Sequence, residues 1–300
     1  MRKRLLAIAG LVFGVSILSI EAQQQLTVFA RIVDGKGAPV ATLEPADVSI
    51  KENNVEVKVV KIEPVNWPLK VQVLVDNGAG LGNDNLSNLR TGVRGLIEAL
   101  PEATELTLVT TAPQARIVVK ATTDRMAQLK GVDLLTPDGG SGRFVESLNE
   151  AMQRFEKDKT DFFPVIIAAA TTSGDTNNLE NAYKQLLKRL EQKPTTVHVA
   201  LFSKGANTSA SAGAVQTEVG INVTKFMGGR FESINAGTRL ATLLQEFGAQ
   251  VAKSQEGQSH QFRITVARPN GASGSPGGLS MAATRAGLSV ASLTMDGRIP

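Results

Sequence analysis

Asp76 is the residue in this chain best placed to do chemistry. It ends the apolar run VQVLV (71–75) and is followed by Asn77-Gly78-Ala79-Gly80-Leu81-Gly82. A carboxylate at a strand end, beside a tight glycine turn, is a position where a ligand or a hard cation can be received. Two further polar segments flank apolar runs in the same way: Gly139-Gly140-Ser141-Gly142 before an amphipathic stretch, and Thr172-Ser173-Gly174-Asp175 after VIIAAAT. Together they offer two possible functions, a cation site and a ligand-binding rim.

The cation site is short of donors. Magnesium demands a near-octahedral shell of oxygens and gives up water reluctantly. Asp76 brings a carboxylate, but Gly78 and Gly80 bring no side-chain oxygen. The expectation is no cofactor, and Mg2+ bound weakly if at all. The ligand-binding candidates are Asp76, Asn77, Gly78, Gly80, Gly140, Ser141, Thr172, Ser173 and Gly174. Their glycines are expected to leave backbone amides open to an acidic or peptide ligand. Plainer roles exist for the same residues. Asp76 can accept bonds from loop amides, and Ser141 can cap the helix that follows it.

Other chemistries find little support. The chain has no cysteine, which excludes disulfides, zinc thiolates and cysteine nucleophiles. His198 lies between Val197 and Val199 inside a strand pattern, and His260 precedes another. Neither sits where a triad needs it, and no G-x-S-x-G elbow or Walker loop is present. The spacing Gly78-x-Gly80-x-Gly82 is not a dinucleotide fingerprint, and the acidic residue precedes it. The chain reads as a non-enzyme.

The elements that must hold these loops follow from periodicity. Residues 26–63 read as strands: Leu26, Val28, Ala30 and Ile32 alternate, and Asn53-Asn54 turns a hairpin between DVSIKE and VEVKVVKI. From residue 70 to 253 strands alternate with helices. Strands are expected at 70–76, 105–112, 115–123, 162–172, 195–204 and 228–234. Helices are expected at 85–100, 124–132, 142–158, 178–193, 210–220 and 237–252. Only Pro113-Gln114 separates the second and third of those strands, which makes them antiparallel. The fold class is therefore α/β: a doubly wound, mostly parallel six-strand sheet, with ligand-binding loops at the carboxyl ends of its strands. Residues 258–300 return to strand patterns. They are expected to complete a small β-domain begun by the first strands, since some 40 residues of strand cannot bury enough surface alone.

Bulk properties narrow the partners. The 300 residues are 42% hydrophobic and 4% aromatic, so the core must be mostly aliphatic. Arg2, Lys3, Arg4 and Glu21 lie in the first 22 residues, so the remainder carries 29 basic and 27 acidic residues. That balance gives no electrostatic case for nucleic acid. The start MRKRLLAIAGLVFGVSILSIEA pairs a basic tip with an apolar run of 16 residues, Leu5–Ile20. It reads as a signal peptide ending at Ala22, too short for a bilayer span of about 20 residues. The expected organisation is a signal peptide (1–22), an N-terminal β-segment (23–66), the α/β domain (67–254) and a C-terminal β-segment (255–300). The mature protein is expected in the periplasm or outside the cell, with no membrane span. The sequence does not specify an oligomeric state.

The strand order and loop positions resemble a von Willebrand factor type A domain. More narrowly, residues 33–54 (VDGKGAPVATLEPADVSIKENN) resemble the β-segment that precedes this domain in secreted bacterial proteins described as von Willebrand factor A-related in acidobacteria. The resemblance covers roughly residues 26–253. It implies a metal-ion-dependent adhesion site built from three loops, Asp-x-Ser-x-Ser, Gly-Gly-Thr and Thr-Asp-Gly. Here these read Asp76-Asn77-Gly78-Ala79-Gly80, Gly139-Gly140-Ser141 and Thr172-Ser173-Gly174, with Asp175 one step late, so the resemblance implies a degenerate site whose candidate metal ligands are Asp76, Ser141 and Asp175. The function implied is adhesion-like binding of a protein or peptide partner outside the cytoplasm. The alternatives are a metal-dependent adhesin with a modified site and a scaffold subunit of an envelope complex.

Overall fold

The computed structural model describes residues 24–174, 179–203, 213–268, 272 and 274–298. The leader assigned to residues 1–22 and the candidate ligand Asp175 lie outside the described residues. Among the described residues, no helix is long and apolar enough to cross a membrane.

The chain forms two six-stranded sheets. One is built from β4 (Leu69–Val75), β5 (Glu105–Thr110), β6 (Arg116–Thr122), β7 (Phe163–Thr171), β8 (Thr196–Phe202) and β9 (Phe231–Ile234). Its order is β6-β5-β4-β7-β8-β9. Every pair is parallel except β5–β6, which the short link of residues 111–115 forces to be antiparallel; β5 ends at Thr110 and β6 begins at Arg116, so the link is five residues rather than the two of Pro113-Gln114. The central strands β4 and β7 are largely buried and mostly apolar, as a sheet covered twice requires, with Lys70 and Gln72 as the polar exceptions in β4. Val71, Val73 and Val75 pack under α1 (Leu86–Ala99), α2 (Arg125–Asp133) and α6 (Gly237–Gln258). Leu74, Ile166 and Ala168 pack under α3 (Phe144–Lys157), α4 (Glu180–Gln192) and α5 (Ala214–Met227). Helices α1 and α6 touch through glycines: a Cβ at Gly248 would lie 2.7 Å from the Leu96 carbonyl oxygen.

The topology also fixes where the loops meet. From β4 the chain moves out to β5 and β6, then returns to β7 on the opposite side. The connection therefore reverses at the carboxyl end of β4, and Asp76 stands at that switch point.

The second sheet is antiparallel and draws on both chain ends: β1 (Gln25–Asp34), β2 (Val48–Glu52), β3 (Val55–Pro64), β10 (Phe262–Ala267), β11 (Leu279–Ala283) and β12 (Leu288–Thr294), in the order β11-β2-β3-β10-β1-β12. Val28, Ala30, Ile32, Ile50, Ile264 and Val266 form its core. Asn53 and Asn54, at φ 51° and 65°, supply the two left-handed residues that a tight hairpin turn needs. A buried Arg268–Glu52 ion pair ties β2 to the end of β10. Trp67 joins the two sheets, its ring 5.3 Å from both Phe29 and Phe163.

Two helix ends differ from expectation. Helix α5 continues past residue 220 to Met227, because Val219, Val223 and Met227 recur at helical spacing and bury one face; Gly228, at φ 74°, ends it. Helix α6 continues past residue 252 to Gln258 through a polar segment without periodicity to mark it.

Candidate functional site

The site is assembled around the Asp76 carboxylate. Its backbone extends the sheet by one bond, Asp76 N–H donating to the Ala169 carbonyl at 2.8 Å. The side chain is 3% exposed. The Thr171 hydroxyl donates to Oδ2 at 2.6 Å, and the Gly78 amide donates to Oδ1 at 2.8 Å. Burial raises the carboxyl pKa above its ordinary value, and these hydrogen bonds oppose the rise only in part. No basic side chain pairs with Asp76 among the described residues.

The glycines close the loops over that carboxylate. A Cβ at Gly142 would lie 2.3 Å from Asp76 Oδ2, so the Gly142 backbone rests directly against the carboxylate. A Cβ at Gly78 would meet the Gly140 carbonyl oxygen at 2.3 Å, and one at Gly80 would meet the Thr171 hydroxyl at 2.3 Å. A Cβ at Gly174 would meet the Gly142 carbonyl oxygen at 2.1 Å. Backbone bonds complete the closure. The Ala79 amide donates to the Gly140 carbonyl at 2.9 Å, and the Asp138 amide donates to the Asn77 carbonyl at 2.8 Å. Gln216, on α5, donates to the Gly174 carbonyl.

The predicted residues therefore divide. Asp76, Asn77, Gly78, Gly80 and Gly174 come together but are buried, and Gly140 is half-buried. The expectation that these glycines present open amides is corrected here: the Gly78 amide is spent on Asp76, and the Gly140 amide is spent on Asp138 Oδ1 at 2.8 Å. Asn77 donates to the Thr136 carbonyl at 2.8 Å, while its buried Oδ1 has no partner. Ser141 and Ser173 lie at the surface with Ala79 and Gly139, and Thr172 is half-buried. Ser141 does not cap α3, whose N-cap is Arg143. His198 is a packed strand residue at 2% exposure, and His260 is exposed.

Two site residues escaped the sequence reading, Thr171 and Gly142. A hydroxyl closing a wholly apolar strand is the signal for Thr171. For Gly142 the signal is weak, since a third glycine beside Gly139 and Gly140 looks like loop chemistry.

Among the described residues, few side-chain oxygens stand beside the Asp76 carboxylate to complete a cation shell. The two positions after Asp76 that could carry ligands are glycines, Ser141 faces away at the surface, and Gly142 backbone fills the space beside the carboxylate. Among the described residues, no group of three or more His, Cys, Asp or Glu side chains is placed to hold a metal.

No family model matches the chain, and no curated protein matches it. Solved structures do. A von Willebrand factor type A protein from Catenulispora acidiphila superposes with a TM-score of 0.50 at 11% identity, covering 92% of this chain and 74% of that one. The pilus adhesin SpaC of Lactobacillus rhamnosus GG gives 0.51 at 9% identity, covering 72% and 35%. At such identities the likeness concerns the fold: the α/β unit has the von Willebrand factor type A fold.

Proposed function

We propose that this protein is an extracytoplasmic interaction module that binds a protein or peptide partner through the loops after β4 and β7 and the loop that precedes α3, at the carboxyl edge of the sheet, without a bridging cation. The observation that carries the reading is the sealed Asp76 carboxylate. Three loops converge on it, yet Gly142 and Gly80 pack where ligand oxygens would have to stand. Asp76 then acts as an internal latch, bonded to β7 through Thr171 and to its own loop through Gly78. The latch fixes the outer rim of Ala79, Gly139, Ser141 and Ser173 as a contact surface. Among the described residues the rim carries no convergent set of titratable groups, so binding rather than catalysis is the reading it supports. The pilus adhesin shares the fold, which agrees with a role in adhesion. A basic tip and a 16-residue apolar run at the start of the chain support export. The same absence of donors weighs against the metal-dependent alternative.

The test is affinity capture from an envelope preparation with the mature chain, in magnesium and in chelator. A partner retained equally in both, and lost when Ser141 and Ser173 are both changed to Arg, supports the proposal. Capture that chelator abolishes, or that the double substitution leaves intact, contradicts it.

A further inference from the structure

A second site lies at the opposite rim, at the amino ends of the parallel strands. Here α3 leaves part of the sheet uncovered, and a cavity of about 220 Å3 opens above β5 and the edge strand β6. Gln72 and Thr107 line it from the sheet, Lys120 from β6, and Arg154 from α3. Lys70 and Glu105 stand at its lower end.

The charges in this cavity are unevenly paired. Lys70 is neutralised twice, by Asp158 at 2.5 Å and Glu105 at 3.2 Å. Arg154 has a single, longer pair. Its Nε donates to the buried Gln72 Oε1 at 2.7 Å, and its nearest carboxylate, Glu150, is 3.7 Å from Nη1. Its Nη2 is buried with no hydrogen-bond partner. Burial lowers the guanidinium pKa, and Glu150 opposes that only in part. A guanidinium left incomplete in this way costs stability, and a bound anion would complete it. Lys120 is exposed beside it and takes part in no ion pair among the described residues.

We propose that this cavity is a carboxylate-binding site, in which the Arg154 guanidinium receives the anion after a small turn of its stem and Lys120 steers it in. A planar carboxylate matches the guanidinium fork. Glu105 and Asp158 at the margin repel a phosphate dianion more than a single carboxylate. The cavity runs beside β6, an end strand of its sheet, so an extended peptide paired along that edge could place an acidic side chain in it. A free small carboxylate is the other source. The inference is independent of the rim around Asp76.

Calorimetry on the full chain tests it with three probes: acetate, a capped Thr-Val-Glu-Val-Thr peptide, and its Gln counterpart. The Glu peptide should bind about tenfold or more tightly than the Gln peptide. Arg154→Met should erase that preference, and Lys120→Gln should weaken it severalfold. Acetate binding that needs Arg154, with neither peptide binding, keeps the site and assigns it to free carboxylates. Equal binding of both peptides with no Arg154-dependent acetate binding overturns the proposal. So does an Arg154→Met chain that melts lower and binds as before, which makes the residue purely structural. Should Arg154→Met not fold, the peptide preference of the native chain and its severalfold weakening in Lys120→Gln decide.

Discussion

At the scale of single residues, two buried titratable groups give opposite pH signatures. Asp76 has its folded pKa raised by burial above the ordinary 3.8. Its contribution to stability is complete below the unfolded pKa and is lost as pH rises through the folded value. Asp76→Asn should therefore flatten that slope and cost nothing at neutral pH, as urea unfolding at a series of pH values will read. His198 is pushed down to about 4 from 6.5, first by burial and then by Arg230. Its contribution is present above 6.5 and is lost as pH falls toward 4. That loss is on the order of 3 kcal/mol, and His198→Leu should remove it from the same titration. Gly142→Ala drives a methyl group against Asp76 and should destabilise the fold by about 1–3 kcal/mol in thermal unfolding. Asp76 was legible in the sequence because an isolated carboxylate ending an apolar strand has few roles. The openness of its glycines was misread, because a glycine loop looks the same in sequence whether it gapes or closes on its neighbour. Only the positions of Gly140 and Gly142 across the rim decide between those states.

At the scale of elements, the strands and their one antiparallel pair were legible because period and link length leave little choice. The five residues 111–115 around Pro113-Gln114 are too few for a crossover, and β5–β6 is antiparallel as a result. The ends of α5 and α6 were not, because Asn222 to Lys225 and Lys253 to Gln258 carry little apolar signal of their own. Packing of α5 through Val223 and Met227 extends it instead. Strands from both chain ends share one core, so neither set should be viable alone. We expect residues 67–254, expressed separately, to fold cooperatively, and residues 24–66 to remain unfolded. Circular dichroism with urea titration distinguishes the outcomes, and a cooperative transition for 24–66 would count against the shared core.

At the scale of the whole molecule, the resemblance read from the strand order and from residues 33–54 led to the fold that solved structures share, at identities near one residue in ten. What the sequence could not supply was the closure of the three loops, which depends on contacts between residues 60 to 100 positions apart, such as Asp76 with Gly142 and Thr171. The central claim is that this closure excludes a divalent cation from the rim. Isothermal titration of the mature chain with magnesium and then manganese tests it most directly. The account predicts no saturable heat at micromolar metal, in the native chain and in Asp76→Ala alike. A micromolar binding isotherm in the native chain that disappears in Asp76→Ala would contradict it.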